Sequence, residues 1–115
     1  MGLYAAAEVV SIEFPFSDLT SSKVRPVVFL ADVSRGDWLA CQITSNPYID
    51  EMAIPIHTSD FSTGGLRHPS YIRPGKLFTA NESLVTASVG SLTPAALTRV
   101  RQAVIAIISE APIHS

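Results

Sequence analysis

Between the pair Arg25-Pro26 and the polar tetrapeptide Ser34-Arg35-Gly36-Asp37 lies Val27-Val28-Phe29-Leu30, apolar at four successive positions. A run this short cannot cross a bilayer, and with turn-forming residues nearby on both sides it predicts a buried strand. Pro26 stands at the expected first position of that strand, where a missing N–H does least harm to a ladder. Gly36 suits a tight turn, so "WLACQITS" (Trp38 to Ser45) follows as the second arm of a hairpin. These strands are expected at the centre of a sheet, and the rest of the chain has to flank them.

The flanking segments read in the same way. "EVVSIEF", Glu8 to Phe14, mixes alternation with β-branched residues and predicts a strand that Pro15 ends. "SDLTSSK" is turn or exposed loop, because short polar side chains bond nearby backbone. "MAIPIHT" is a weaker strand, placed at an edge because Pro55 lacks a ladder donor. "SDFSTGGLRHPS" has loop composition, and "YIRPGKLFT" and "LVTASVGSL" are short strands. Five or six closely spaced strands suggest a small barrel. The last segment differs: Thr93 is a good N-cap, Pro94 suits a first helical position, and "AALTRVRQAVIAIISE" then runs without a breaker. Leu97, Val100, Val104, Ile107 and Ile108 fall on one stripe, which predicts an amphipathic helix docked on a mostly β domain.

Composition bounds what such a domain does. At 115 residues, 47% hydrophobic and 16% charged, the chain is expected to form one domain, residues 1–115, with a well-packed core. A net charge of −2 gives no global attraction to polyanions, so any nucleic-acid contact has to come from a local cluster. Cys41 is the lone cysteine, which rules out an intrachain disulfide, fits a reducing compartment and reads as a small buried hydrophobe. "MGLYAAAEVV" lacks the basic start of a secretory signal, and the expectation is a cytoplasmic protein with no membrane association. There is no zinc-spaced Cys and His cluster, Walker-type glycine loop or acidic calcium loop, and His57, His68 and His114 are scattered. Neither a metal nor a cofactor is expected.

Two Arg-Pro pairs stand out, Arg25-Pro26 and Arg73-Pro74, together with Thr44 and Ser45 at the end of "CQITS". Proline holds the residue before it in extended geometry, so both arginines are kept on extended backbone. Their guanidinium forks match phosphate oxygens, and with the hydroxyls they would make an anion site. The same spacing is equally served by arginines paired with carboxylates at sheet edges and by a turn starting at Thr44.

The order of "VVSIEFPFSDLTSSKVRPVVFL", "CQITS", "DFSTGGL", "SYIRPGKLFT" and "VGSLTPAALTRV", from Glu8 to about Val104, resembles the PemK/MazF family of growth-inhibiting toxins. The resemblance implies a compact SH3-like barrel of the CcdB, Kid and MazF type with a C-terminal helix. It further implies a homodimer, a cognate antitoxin, and sequence-specific, metal-independent endoribonuclease activity on single-stranded RNA, leaving a 2′,3′-cyclic phosphate and a 5′-hydroxyl. Carried onto this chain, the family's active-site residues are Arg25, aimed at the phosphate where charge builds, and Thr44, a donor to the same phosphate, with Ser45 adjacent. Arg73 would hold a neighbouring phosphate or assist the leaving oxygen. Substrate contacts fall on Ser17, Asp18, Ser22, Lys23, Ser45, Arg67 and Lys76.

This sequence departs from the family pattern in two places. Where many members carry Asp after the second Arg-Pro, it has Gly75 and then Lys76; where Gly-Asp usually precedes the first strand, it has Ala7-Glu8. Arginine stays protonated, so a general base has to come from elsewhere, with Asp18 and His57 as nominal substitutes. A second reading therefore stands beside the nuclease: a weakly active or inactive member that binds antitoxin and RNA, or a protein target such as gyrase. The shared presence of Arg25 and Thr44 favours the enzyme, and Gly75 with the acidic net charge favours the binder.

Overall fold

The computed structural model of the chain describes residues 2–15, 22–110 and 112. These contain strands β1 (Glu8–Pro15), β2 (Ser22–Ser34), β3 (Asp37–Thr44), β4 (Ile54–Ile56), β5 (Phe61–Gly64), β6 (Ser70–Asn81) and β7 (Val85–Leu92), followed by helix α1 (Pro94–Glu110). All strand pairings are antiparallel, in the order β4-β6-β3-β2-β1-β7-β5, so the hairpin β2–β3 lies at the sheet centre as expected.

The connection between β4 and β5 forces this sheet to curl. They occupy opposite edges yet are joined by residues 57–60 alone. Laid flat, seven strands would put the edges roughly 29 Å apart at about 4.8 Å per strand. The five steps from Ile56 to Phe61 reach at most about 18 Å. The sheet therefore wraps into a partial barrel, with α1 packed against β6 and the core.

Wrapping buries both faces of the central strands, which accounts for the unbroken apolar run. Val28 and Leu30 of β2, with Cys41 and Ile43 of β3, face a cluster that takes in Leu97, Val100 and Val104 of α1. Val27 and Phe29 face the other way, with Val10, Ile12, Trp38 and Ala40. There Phe29 stacks on Trp38 at 5.0 Å between centroids, and Tyr4 meets Phe29 edge-on at 5.9 Å. Thr93 caps α1 as predicted: its Oγ1 accepts from Ala96 N at 3.2 Å, and its carbonyl accepts from Leu97 N at 3.0 Å.

Some elements differ from expectation. Residues 61–64, loop by composition, form β5 against β7; a short polar edge strand carries no apolar alternation to announce it. β2 begins at Ser22, so Pro26 is interior to the strand rather than first in it. Proline is tolerated there because the β2–β3 ladder runs only as far as Val27 and Gln42. In β6 the register jumps from Cys41↔Leu77 to Gln42↔Arg73, bulging Pro74-Gly75-Lys76 out of the ladder, where Pro74 owes no donor. On α1, Ile108 is 66% exposed instead of docked, while Ala96 joins the buried stripe.

Candidate active site

Pro26 shapes the site. Beyond Val27 the β2–β3 ladder stops, while β3 stays pinned to β6 through Ile43↔Ile72 and Thr44↔Tyr71. The two central strands part at this end of the sheet, and a cavity of about 240 Å³ sits there. Arg25 and Pro26 come to it from β2, and Ile43, Thr44 and Ser45 from the end of β3. Leu66, Arg67, His68 and Ser70 come from the β5–β6 connection. Arg25 is exposed and carries no ion pair or hydrogen bond on its guanidinium among the described residues. Thr44 Oγ1 accepts from Asn46 N at 3.1 Å, which occupies a lone pair and leaves the hydroxyl proton free to donate.

The connecting loop is clamped at both ends. Leu66 packs on the core, and Gly65 N donates to Val89 O at 3.3 Å. At the other end Ser70, 7% exposed, pairs with Ile56 and donates its Oγ to His68 O at 2.9 Å. A second cavity, about 340 Å³, adjoins the first across Leu66, Arg67, His68 and Ser70 and adds His57 and Thr58.

The expected site residues thus divide. Arg25, Thr44, Ser45 and Arg67 share one cavity. Arg73 and Lys76 line a different one, about 360 Å³, with Asp50, Glu51, Met52 and Gly75. There Arg73 Nε donates to Asp50 Oδ2 at 2.9 Å, an ion pair whose side chains are only 17% and 13% exposed. That hydrogen bond holds the Asp50 carboxyl below the usual carboxylate range, helped by the Met52 backbone N–H and by Lys76. Of the two sequence readings of the Arg-Pro pairs, carboxylate pairing describes Arg73, and the open guanidinium describes Arg25. Lys23 is exposed near the start of β2, and Ser22 lends backbone to it. Ser17 and Asp18 lie outside the described residues, as does His114.

His57, one of the nominal bases, lines only the adjoining cavity, whereas His68 lines the cavity of Arg25 and Thr44. Nothing in the local sequence pattern of His68 separates it from an ordinary surface histidine; the connection from Gly65 to Ser70 brings it to the cavity. Cys41 is fully buried, and burial pushes its thiol up to about 12, so it is no nucleophile. No group of three His, Cys, Asp or Glu among the described residues could hold a metal ion, and no helix is long and apolar enough to cross a membrane.

Comparison with known proteins agrees with this architecture. A family model described as PemK-like, MazF-like toxin of type II toxin-antitoxin systems matches residues 5–108. No curated protein matches in sequence. Among solved structures, the MazE-MazF complex from Deinococcus radiodurans (Form-III) superposes with a TM-score of 0.75 at 14% identity, covering 94% of this chain and 98% of that one. An endoribonuclease in complex with its cognate antitoxin, from a mycobacterial species, gives 0.67 at 16% identity over 99% and 100% of the two chains. The Mycobacterium tuberculosis toxin MazF-mt6 gives 0.66 at 17% identity over 89% and 96%. At these identities the likeness establishes the fold.

Proposed function

This chain belongs to the PemK-like, MazF-like toxins of type II toxin-antitoxin systems, and from that membership we propose that it is a metal-independent endoribonuclease acting on single-stranded RNA. One observation carries the reading: a guanidinium with no partner among the described residues, Arg25, and a hydroxyl with its proton to spare, Thr44, line the same opening where β2 and β3 part. In cleavage without metal the 2′-hydroxyl attacks phosphorus, and negative charge gathers on the non-bridging oxygens. Arg25 is the donor held ready for that charge, and Thr44 a donor to the same group. A fixed donor of this kind is worth roughly 3–4 kcal/mol of barrier. Arg67 adds a cation beside the phosphate path, with Lys23 along the approach and Ser45 beside Thr44.

Relatives of this fold include complexes named MazE-MazF and an endoribonuclease with its cognate antitoxin. We assign this chain a cognate antitoxin as partner and a homodimer as its working state, in the cytoplasm. A binding module without catalysis is the second reading, favoured by the Arg73–Asp50 ion pair, which occupies the second arginine with a carboxylate.

The deciding experiment is incubation with mixed-sequence single-stranded RNA in excess chelator and mapping of the cut ends. Cuts bearing 2′,3′-cyclic phosphate, lost in Arg25→Ala and kept in Arg35→Gln, in the turn beyond the far end of β2, support the enzyme. Intact RNA with tight binding of a short antitoxin peptide supports the module.

A further inference from the structure

The nuclease reading leaves one step unassigned, the removal of the proton from the 2′-hydroxyl. Among the described residues lining the Arg25 cavity, the groups able to exchange protons are few. A guanidinium has no lone pair to accept a proton, which sets aside Arg25 and Arg67, and an aliphatic hydroxyl, as on Thr44, Ser45 and Ser70, is too weakly basic to hold a second one. The cavity has no carboxylate among the described residues, and neither has the cavity adjoining it. His68 is the remaining group, and imidazole is the side chain whose ordinary titration falls near neutrality.

We propose that His68 is the general base of this site, taking the proton of the attacking 2′-hydroxyl; the assignment rests on the ribonuclease reading above. Its placement is built rather than incidental. The loop that carries it is held at Gly65 by Val89, at Leu66 by the core, and at His68 itself by Ser70 Oγ on its carbonyl. The charged neighbours are Arg25 from β2 and Arg67 on the loop, with His57 across the adjoining cavity. Asp60, in the turn next to His57, is engaged by the His57 backbone N–H at 2.8 Å and by Arg99 at 3.2 Å.

The step balances without an added reagent. The imidazole nitrogen takes the 2′-hydroxyl proton, and the freed oxygen pair closes the bond to phosphorus. The P–O5′ bond breaks with its electrons on O5′, which takes a proton from water at the open side of the cavity. The imidazolium then returns its proton to the hydroxide so formed. The products are a 2′,3′-cyclic phosphate and a 5′-hydroxyl.

The test compares wild type, His68→Gln and His68→Ala on one RNA, measuring the cleavage rate from pH 5 to 8. Alongside it runs the binding of the same oligonucleotide with a 2′-deoxy sugar at the cut position. The expected result is a rate lowered about 10²–10⁴-fold in both variants, at unchanged cut sites, with 2′-deoxy binding within about twofold of wild type. The rising limb of the wild-type pH profile should disappear in His68→Gln, and imidazole in the buffer should restore part of the rate of His68→Ala. A His68→Gln rate close to wild type with the same pH limb overturns the assignment and leaves the nuclease reading standing. So does loss of 2′-deoxy binding in step with the rate, which would make His68 a binding residue. A wild type that cuts no RNA overturns both.

Discussion

Ala7 adopts φ +80° while almost fully buried, with its N–H on Phe29 O at 2.8 Å and its carbonyl taking Leu92 N at 2.9 Å. Left-handed backbone is where glycine is at home, so an alanine at this position stores strain. Glu8 offsets part of it, accepting from Ala5 N at 3.0 Å and from Ser88 Oγ at 2.6 Å. Ala7→Gly should change stability by no more than about 0.5 kcal/mol, because relief of strain and loss of a buried methyl oppose each other. Ala7→Val should cost about 2–3 kcal/mol in a urea titration, since a β-branched residue tolerates that region poorly. Arg25 has the opposite signature, exposed and without a partner among the described residues. Arg25→Ala should keep its unfolding free energy within about 0.5 kcal/mol of wild type and lose about 10²–10³-fold in RNA cleavage. Cys41, with its thiol pushed up to about 12, should react with a disulfide reagent at pH 8 only when the protein unfolds.

At the scale of elements, the site depends on contacts made away from it. β5 and β7 approach so closely at Gly64 and Gly90 that a Cβ on Gly64 would collide with the Val89 carbonyl, and one on Gly90 would lie 2.5 Å from Thr63 O. Gly90→Ala should therefore cost about 1–3 kcal/mol. It should also slow cleavage, because the loop carrying Arg67 and His68 leaves directly from β5. The turn before β5 is tied to α1 by Asp60, which bonds His57 N, pairs with Arg99 and gives its carbonyl to Thr93 N at 2.8 Å. The His57 N–H, with Arg99 assisting, holds the Asp60 carboxyl below its usual value. A folded value below the unfolded one stabilises at pH above about 4 and is lost as pH falls through the folded value. In denaturant titrations between pH 7 and pH 2, Asp60→Asn should flatten that acid decline, leaving the share due to Asp50. α1 is fastened to the sheet by Arg101, whose Nε and Nη2 both donate to Leu30 O, at 3.1 and 2.7 Å.

For the whole molecule, the β4–β5 connection wraps the sheet and thereby sets distant segments side by side at one end of β2 and β3. The proposed homodimer should elute at about twice the chain mass on sizing, with cleavage unaffected by chelator. The family, the central hairpin, the capped helix and the edge placement of Pro55 were all legible in the sequence. Each rests on local chemistry: apolar period, missing donors and capping oxygens. The strand at residues 61–64 and the bulge at Pro74-Gly75-Lys76 were not, because both exist through pairing with distant partners. The same holds for the site. Arg25 and Thr44 could be named from motif order alone. That Arg73 is held by Asp50 while Arg25 stays open, and that His68 rather than His57 reaches the cavity, was decided by tertiary structure, since a side chain's partners depend on where the curled sheet brings residues far apart in the chain.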